Sequence, residues 1–94
     1  MEKHYFIYIL TNTTKTVLYV GVTNNLIRRV EQHHLASIPG FTKQYRLTHL
    51  IYYEQFLQIY DALLREKQLK GWQREKKNEL IQKVNPRWED VTPN

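Results

Sequence analysis

The chain predicts a small α+β domain in which a three-stranded antiparallel or mixed sheet is flanked by three helices. Three observations lead there. Short runs rich in aromatic and β-branched residues alternate with longer runs of helical apolar spacing, and turn-forming clusters separate them. A chain of 94 residues has room for one hydrophobic core and little for a second. No repeat, low-complexity segment or linker interrupts the order strand, strand, helix, strand, helix, helix. Residues 1–94 are therefore expected to form a single domain, with its core between about residues 4 and 88.

Each element follows from local chemistry. His4 to Leu10 reads as a strand. Thr11-Asn12-Thr13-Thr14-Lys15 is a polar turn, and Thr16 to Val20 completes a hairpin that Gly21 is expected to end. Thr23, Asn24 and Asn25 can each cap a helix from Asn25 to about Leu35, with Leu26, Ile27 and Val30 as its apolar positions. Ala36 to Tyr45 carries Pro39-Gly40 and reads as a loop. Leu47 to Glu54 is the third strand. Gln58 to Trp72 is the second helix, with Ile59, Ala62, Leu63 and Leu69 as its inward stripe and Gly71 at its end. Arg74 to Val84 is a more polar helix, stopped by Pro86 and followed by a short tail.

Composition excludes several functions. There is no cysteine, so disulfides, thiolate nucleophiles and cysteine-based zinc sites are absent. That fits a cytoplasmic protein. No apolar run approaches the length of a membrane span, and Glu2, Lys3 and His4 do not open a signal peptide. The net charge of +5 favours a polyanionic partner. Aromatic residues make up 13%, mostly tyrosine, which packs and also does chemistry.

Several residues stand out as chemical groups. Glu66 shares a helical face with Ala62 and Leu69, where a charge needs an ion-pair partner, a rim position or a metal. A lone carboxylate suits Mg²⁺, which keeps several waters. Arg29 and His33 lie one turn apart and can grip a phosphate, or simply form a solvated face. His33 and His34 are sequence neighbours and point apart, against a shared metal. Tyr8 and Tyr19 are either strand packing residues or phenols activated by Arg29, Lys43 or a bound ion. Gly21 fits a tight turn, or close approach of a phosphate to a helix N-terminus. Basic residues crowd Arg65 to Lys77, among them Lys67, Lys70 and Arg74. With Trp72 they suggest a phosphate-backbone track and a stacking surface, or a solvated helix face around a core tryptophan.

Taken jointly, the spacing resembles a known family. Phe6-Ile7-Tyr8 followed by Tyr19-Val20-Gly21, then Arg29, His33 and Glu66, is similar to the GIY-YIG nuclease domain over about His4 to Trp88. The runs Arg65 to Trp72 and Asn85-Pro86-Arg87-Trp88 resemble small stand-alone bacterial members, whose domain is like the N-terminal nuclease module of excinuclease C. Phe6 stands where the first motif has glycine, Val20 replaces isoleucine, and Val22 takes a position where some members carry lysine.

The resemblance implies a DNA endonuclease, with RNA left open, that uses one Mg²⁺ or Mn²⁺ ion. It implies Tyr8 and Tyr19 as motif phenols, with Tyr19 helping to deprotonate water. Arg29 would hold the scissile phosphate, His33 would aid proton transfer or phosphate contact, and Glu66 would anchor the metal. Gly21, Lys43, Lys67, Lys70 and Arg74 would meet nucleic acid, and Asn78 and Asn85 are both candidates for a family asparagine. With no appended DNA-recognition domain in view, such a core is expected to bind weakly, to need a partner protein, or to read structure rather than sequence. A nucleic-acid-binding module without activity and a domain that binds an acidic protein are the competing readings.

Overall fold

A computed structural model describes residues 3–35, 40 and 44–93. Strand β1 (Tyr5–Thr11) lies in the middle of a sheet of order β2-β1-β3, with β2 (Leu18–Thr23) and β3 (His49–Phe56) both antiparallel to it. Helix α1 (Leu26–His34) follows β2. Helices α2 (Ile59–Gly71) and α3 (Arg74–Val84) follow β3. The α+β class, with an antiparallel sheet and these three helices among the described residues, is thus observed.

The alternation of β1 gives the sheet two buried faces. Ile7 and Ile9 pack with Val20, Ile51, Ala62, Leu69 and Ile81 on the side of α2 and α3. Tyr8 and Leu10 pack with Leu26, Leu47 and Leu50 on the side of α1. A bulge opposite Ile9 and Leu10 keeps both faces filled. Ile9 faces Tyr52 and Leu10 faces Leu50, so Ile51 is the extra residue, and Ile51 and Tyr52 join the same cluster.

Strand boundaries differ from those expected: the third strand runs from His49 to Phe56 rather than from Leu47 to Glu54, and both ends of the second shift. The second strand starts at Leu18 rather than Thr16, because the Asn12 side chain captures the loop backbone. Its Oδ1 accepts from the Thr16 amide at 2.9 Å and the Val17 amide at 3.2 Å, removing both from the ladder. The strand also runs through Gly21 to Thr23 instead of ending there. The Asn25 side chain accepts from the Arg28 amide and caps α1.

The inward stripe of α2 is narrower than expected. Ala62 and Leu69 are buried, but Ile59 and Leu63 are each 44% exposed. These two lie about 60° and 100° round the helix from Ala62. The small Ala62 meets a sheet face already filled by Ile7, Ile9 and Ile51, which leaves its bulkier neighbours outside. Ile27 of α1 is likewise exposed.

The tail after α3 is built in by Asn85, which is buried. Its Nδ2 donates to the Ile51 and Glu89 carbonyls at 2.9 and 2.8 Å, and its Oδ1 accepts from the Glu89 amide. The Val91 amide then donates to Leu50, and His49 pairs with Asp90 at 2.8 Å. Asn85→Ala leaves the Ile51 carbonyl without its partner and is expected to cost about 1–3 kcal/mol, read as a lower urea midpoint at unchanged slope.

Candidate active site

The site grows from one register fact: Tyr8 of β1 faces Gly21 of β2, and Tyr19 is two residues earlier on the same face. The Tyr8 ring lies over Gly21 and beside Tyr19, with ring centroids 6.2 Å apart. A Cβ added at Gly21 would stand 2.5 Å from both Cζ and Oη of Tyr8, and 2.9 Å from Cε2 of Tyr19. Glycine is required here for space inside a strand, and neither a turn nor a helix N-terminus accounts for it.

His33, in the last turn of α1, closes the cluster. Its ring centroid is 6.0 Å from Tyr8 and 6.3 Å from Tyr19. It is 5% exposed, and its Nε2 is buried with no hydrogen-bond partner among the described residues. Burial first, then the charges of Arg29 and His34, push its pKa from 6.5 down to about 4. The imidazole is therefore neutral at physiological pH.

A stability consequence follows. The unfolded chain protonates this imidazole near 6.5 and the folded chain only near 4, so between those values the unfolded state binds more protons. Stability is expected to fall as pH drops through that window and to level off below it. The His33 contribution is on the order of 1–3 kcal/mol. A urea-midpoint profile of His33→Gln should lose that part of the slope.

The two phenols are not equivalent. Burial raises the pKa of Tyr8. The neighbouring Tyr19 and Glu66 raise it further, Arg29 offsets part of this, and a hydrogen bond to Tyr19 again favours the protonated form. Tyr8 therefore keeps its proton and donates it toward the Tyr19 oxygen. The same influences place Arg29 of α1 and Glu66 of α2 within electrostatic reach of one hydroxyl.

Glu66 sits at the rim, with its side chain 20% exposed and paired to Lys70 Nζ at 3.5 Å, four residues on. Lys70 also lies over the Tyr19 ring at 5.9 Å. Arg29 is half-buried and lines a polar cavity of about 240 Å³ with Thr23, Asn24, Asn25, Arg28 and Gln32. The structure thus brings Tyr8, Tyr19, Gly21, Arg29, His33, Glu66 and Lys70 together from β1, β2, α1 and α2.

Other sequence-selected residues stand elsewhere. Lys43 lies outside the described residues. Lys67 is exposed on α2. The Arg74 guanidinium donates to the Thr16 and Lys15 carbonyls and to Asn78 Oδ1, each at 2.9 Å, and lies over Trp88. It fastens the β1–β2 loop to α3, and with its donors so engaged little is left for a phosphate. Arg65 is engaged by Glu54 at 2.9 Å and by Gln68, and it covers Trp72 from one side while Lys76 covers it at 4.3 Å. Trp72 is consequently a packed, cation-flanked ring and not an open stacking platform. Asn78 and Asn85 are both occupied by the structural bonds described. The long-range roles of Arg74 and Asn85 carry no signal in the linear chain.

For a metal, the donor set is the test. Among the described residues no group of three His, Cys, Asp or Glu side chains is gathered, so a closed protein cage is not offered. A single accessible carboxylate beside phenols and a guanidinium fits a divalent ion that keeps most of its waters, the habit of Mg²⁺. Glu66 is the residue that would hold it. No described helix is long and apolar enough to cross a membrane.

Comparison with known proteins places this arrangement. Residues 4–79 match the family model described as the GIY-YIG catalytic domain. A UPF0213 protein of Pediococcus pentosaceus is 38% identical over 79 residues, covering 84% of this chain and 82% of the relative. A UPF0213 protein of Staphylococcus aureus is 36% identical over 81 residues, covering 86% and 96%. The solution NMR structure of a UPF0213 protein from Bacillus halodurans has the same fold, with a TM-score of 0.59 at 23% identity over 92% of this chain and 90% of that one.

Proposed function

Because the chain belongs to the family of GIY-YIG catalytic domains, we propose that it is a divalent-metal-dependent endonuclease that hydrolyses phosphodiester bonds in DNA. The observation that carries this reading is the convergence of Tyr8, Tyr19, His33, Arg29 and Glu66 on one hydroxyl-lined spot from four separate elements. A packing role alone does not require two tyrosines over an obligatory glycine beside an unpartnered buried imidazole nitrogen.

Each side chain then has a task. Tyr8 stays protonated and donates to Tyr19, and the Tyr19 oxygen takes the proton of the attacking water as Tyr19 passes its own hydroxyl proton on to the neutral His33. The neutral His33 orients that water or relays the proton through Nε2. Arg29 holds the scissile phosphate and meets the charge that develops on it. Glu66 would hold the metal ion, which would supply Lewis-acid stabilisation of the leaving oxygen. Lys70, paired with Glu66 at 3.5 Å, would stand at the edge of that site as a phosphate contact. The products are a 5′-phosphate and a 3′-hydroxyl. Target choice is proposed to rest on nucleic-acid structure or on a partner protein.

The test is a panel of single-stranded, duplex, branched and damaged DNA, with RNA beside it, assayed with Mg²⁺, Mn²⁺ and chelator. Cleavage is expected only with metal, and Arg29→Ala is expected to lose about 10²–10³-fold in rate with its fold intact by circular dichroism. Metal-independent cleavage, or full activity in Arg29→Ala, sinks the proposal.

A further inference from the structure

The N-terminal half of α2 presents a row of apolar residues to solvent: Leu57 just before the helix, then Tyr60 and Leu64, which are 61%, 68% and 50% exposed. Leu64 lies about 200° round the helix from Glu66, so this face points away from the candidate active site. We propose that it is the contact surface of a homodimer, in which α2 pairs antiparallel with α2 of a second copy about a two-fold axis through Leu64.

The identity of the occupant comes from charge and size matching along the row. In an antiparallel pair, residues equally spaced from the axis meet, one from each copy. Leu64 meets Leu64. Asp61 and Lys67, each three residues away, meet as opposite charges. Among the described residues neither has an ion-pair partner within its own chain. Tyr60 meets the polar Gln68, four residues away on the other side. Gly71 at the far end of the helix, where a built Cβ finds nothing within 4 Å, leaves room for the apolar residues at the start of the partner helix. A polyanionic or purely acidic partner would match neither Asp61 nor the leucines.

Such a helix pair is smaller than the roughly 1,200–2,000 Å² of stable complexes, which sets the expected dissociation constant in the micromolar to millimolar range. The inference stands independently of the nuclease reading. If both hold, the dimer carries two cutting sites on outward faces. Sedimentation equilibrium of the full chain from about 10 μM to 1 mM tests it. The apparent mass is expected to rise from 11.5 kDa toward twice that value. Leu64→Asp should stay monomeric. Asp61→Lys should weaken association about 3- to 10-fold, and adding Lys67→Asp should restore it. A wild-type chain that stays monomeric throughout overturns the proposal and assigns the face to a different partner. So does a dimer that Leu64→Asp leaves intact, or a double charge swap no better than the single one.

Discussion

Replacing Glu66 by alanine is expected to remove metal-dependent cleavage while leaving the protein folded. Glu66 is the one carboxylate at the aromatic cluster whose charge reaches the Tyr8 hydroxyl, and its side chain remains accessible at the rim. The ion it would hold contributes several kcal/mol of transition-state stabilisation, which corresponds to a rate loss of about 10³-fold or more. Its only ion-pair partner among the described residues is Lys70 at 3.5 Å, an exposed contact worth little to stability, so the thermal midpoint should barely move. Glu66→Asp should recover a fraction of the activity at raised metal concentration, because the donor is kept but set back. The measurement is single-turnover cleavage across a Mg²⁺ and Mn²⁺ titration beside a melting curve. Full cleavage in Glu66→Ala sinks the metal role. Lost cleavage together with lost structure assigns the residue to packing.

Gly21→Ala is the second change of large effect, and it acts on structure and site together. The added methyl would meet Cζ and Oη of Tyr8 at 2.5 Å, closer than any carbon contact tolerates. Tyr8 is 2% exposed and confined by Tyr19 and His33, so it has nowhere to move without opening the cluster. Overpacking of this kind costs about 1–3 kcal/mol, and displacement of Tyr8 should lower cleavage about 10²-fold even in molecules that fold. The clash predicts a specific coupling. In a Tyr8→Leu background the same Gly21→Ala change should cost much less stability, because the ring it strikes is gone. Equal costs in both backgrounds would locate the glycine's role in the backbone.

The sequence made the elements readable because their signals are local. Aromatic and β-branched runs marked the strands, Asn25 capped α1, and Pro86 followed α3. The members of the site were readable as a spaced set, since a resemblance of pattern survives without coordinates. What stayed hidden depended on partners far along the chain. The reason for Gly21 requires knowing that Tyr8 lies across from it. Arg74 looked like a free cation because the carbonyls of Lys15 and Thr16 that occupy it are almost sixty residues earlier. Asn85 looked like a catalytic amide for the same reason. Periodicity alone assigned Ile59 and Leu63 to the core because it cannot register that the opposing face is already filled.

The strand made first is the one that ends up between the other two. The hairpin of β1 and β2 can close as soon as its own residues are made, whereas the opposite edge of β1 must wait for residues 49–56 to emerge. Until then Ile7 and Ile9 have no lid, since Ile51, Ala62 and Leu69 are still to come. Pairing that edge therefore closes a loop of some forty residues, a larger entropic cost than the hairpin's short turn.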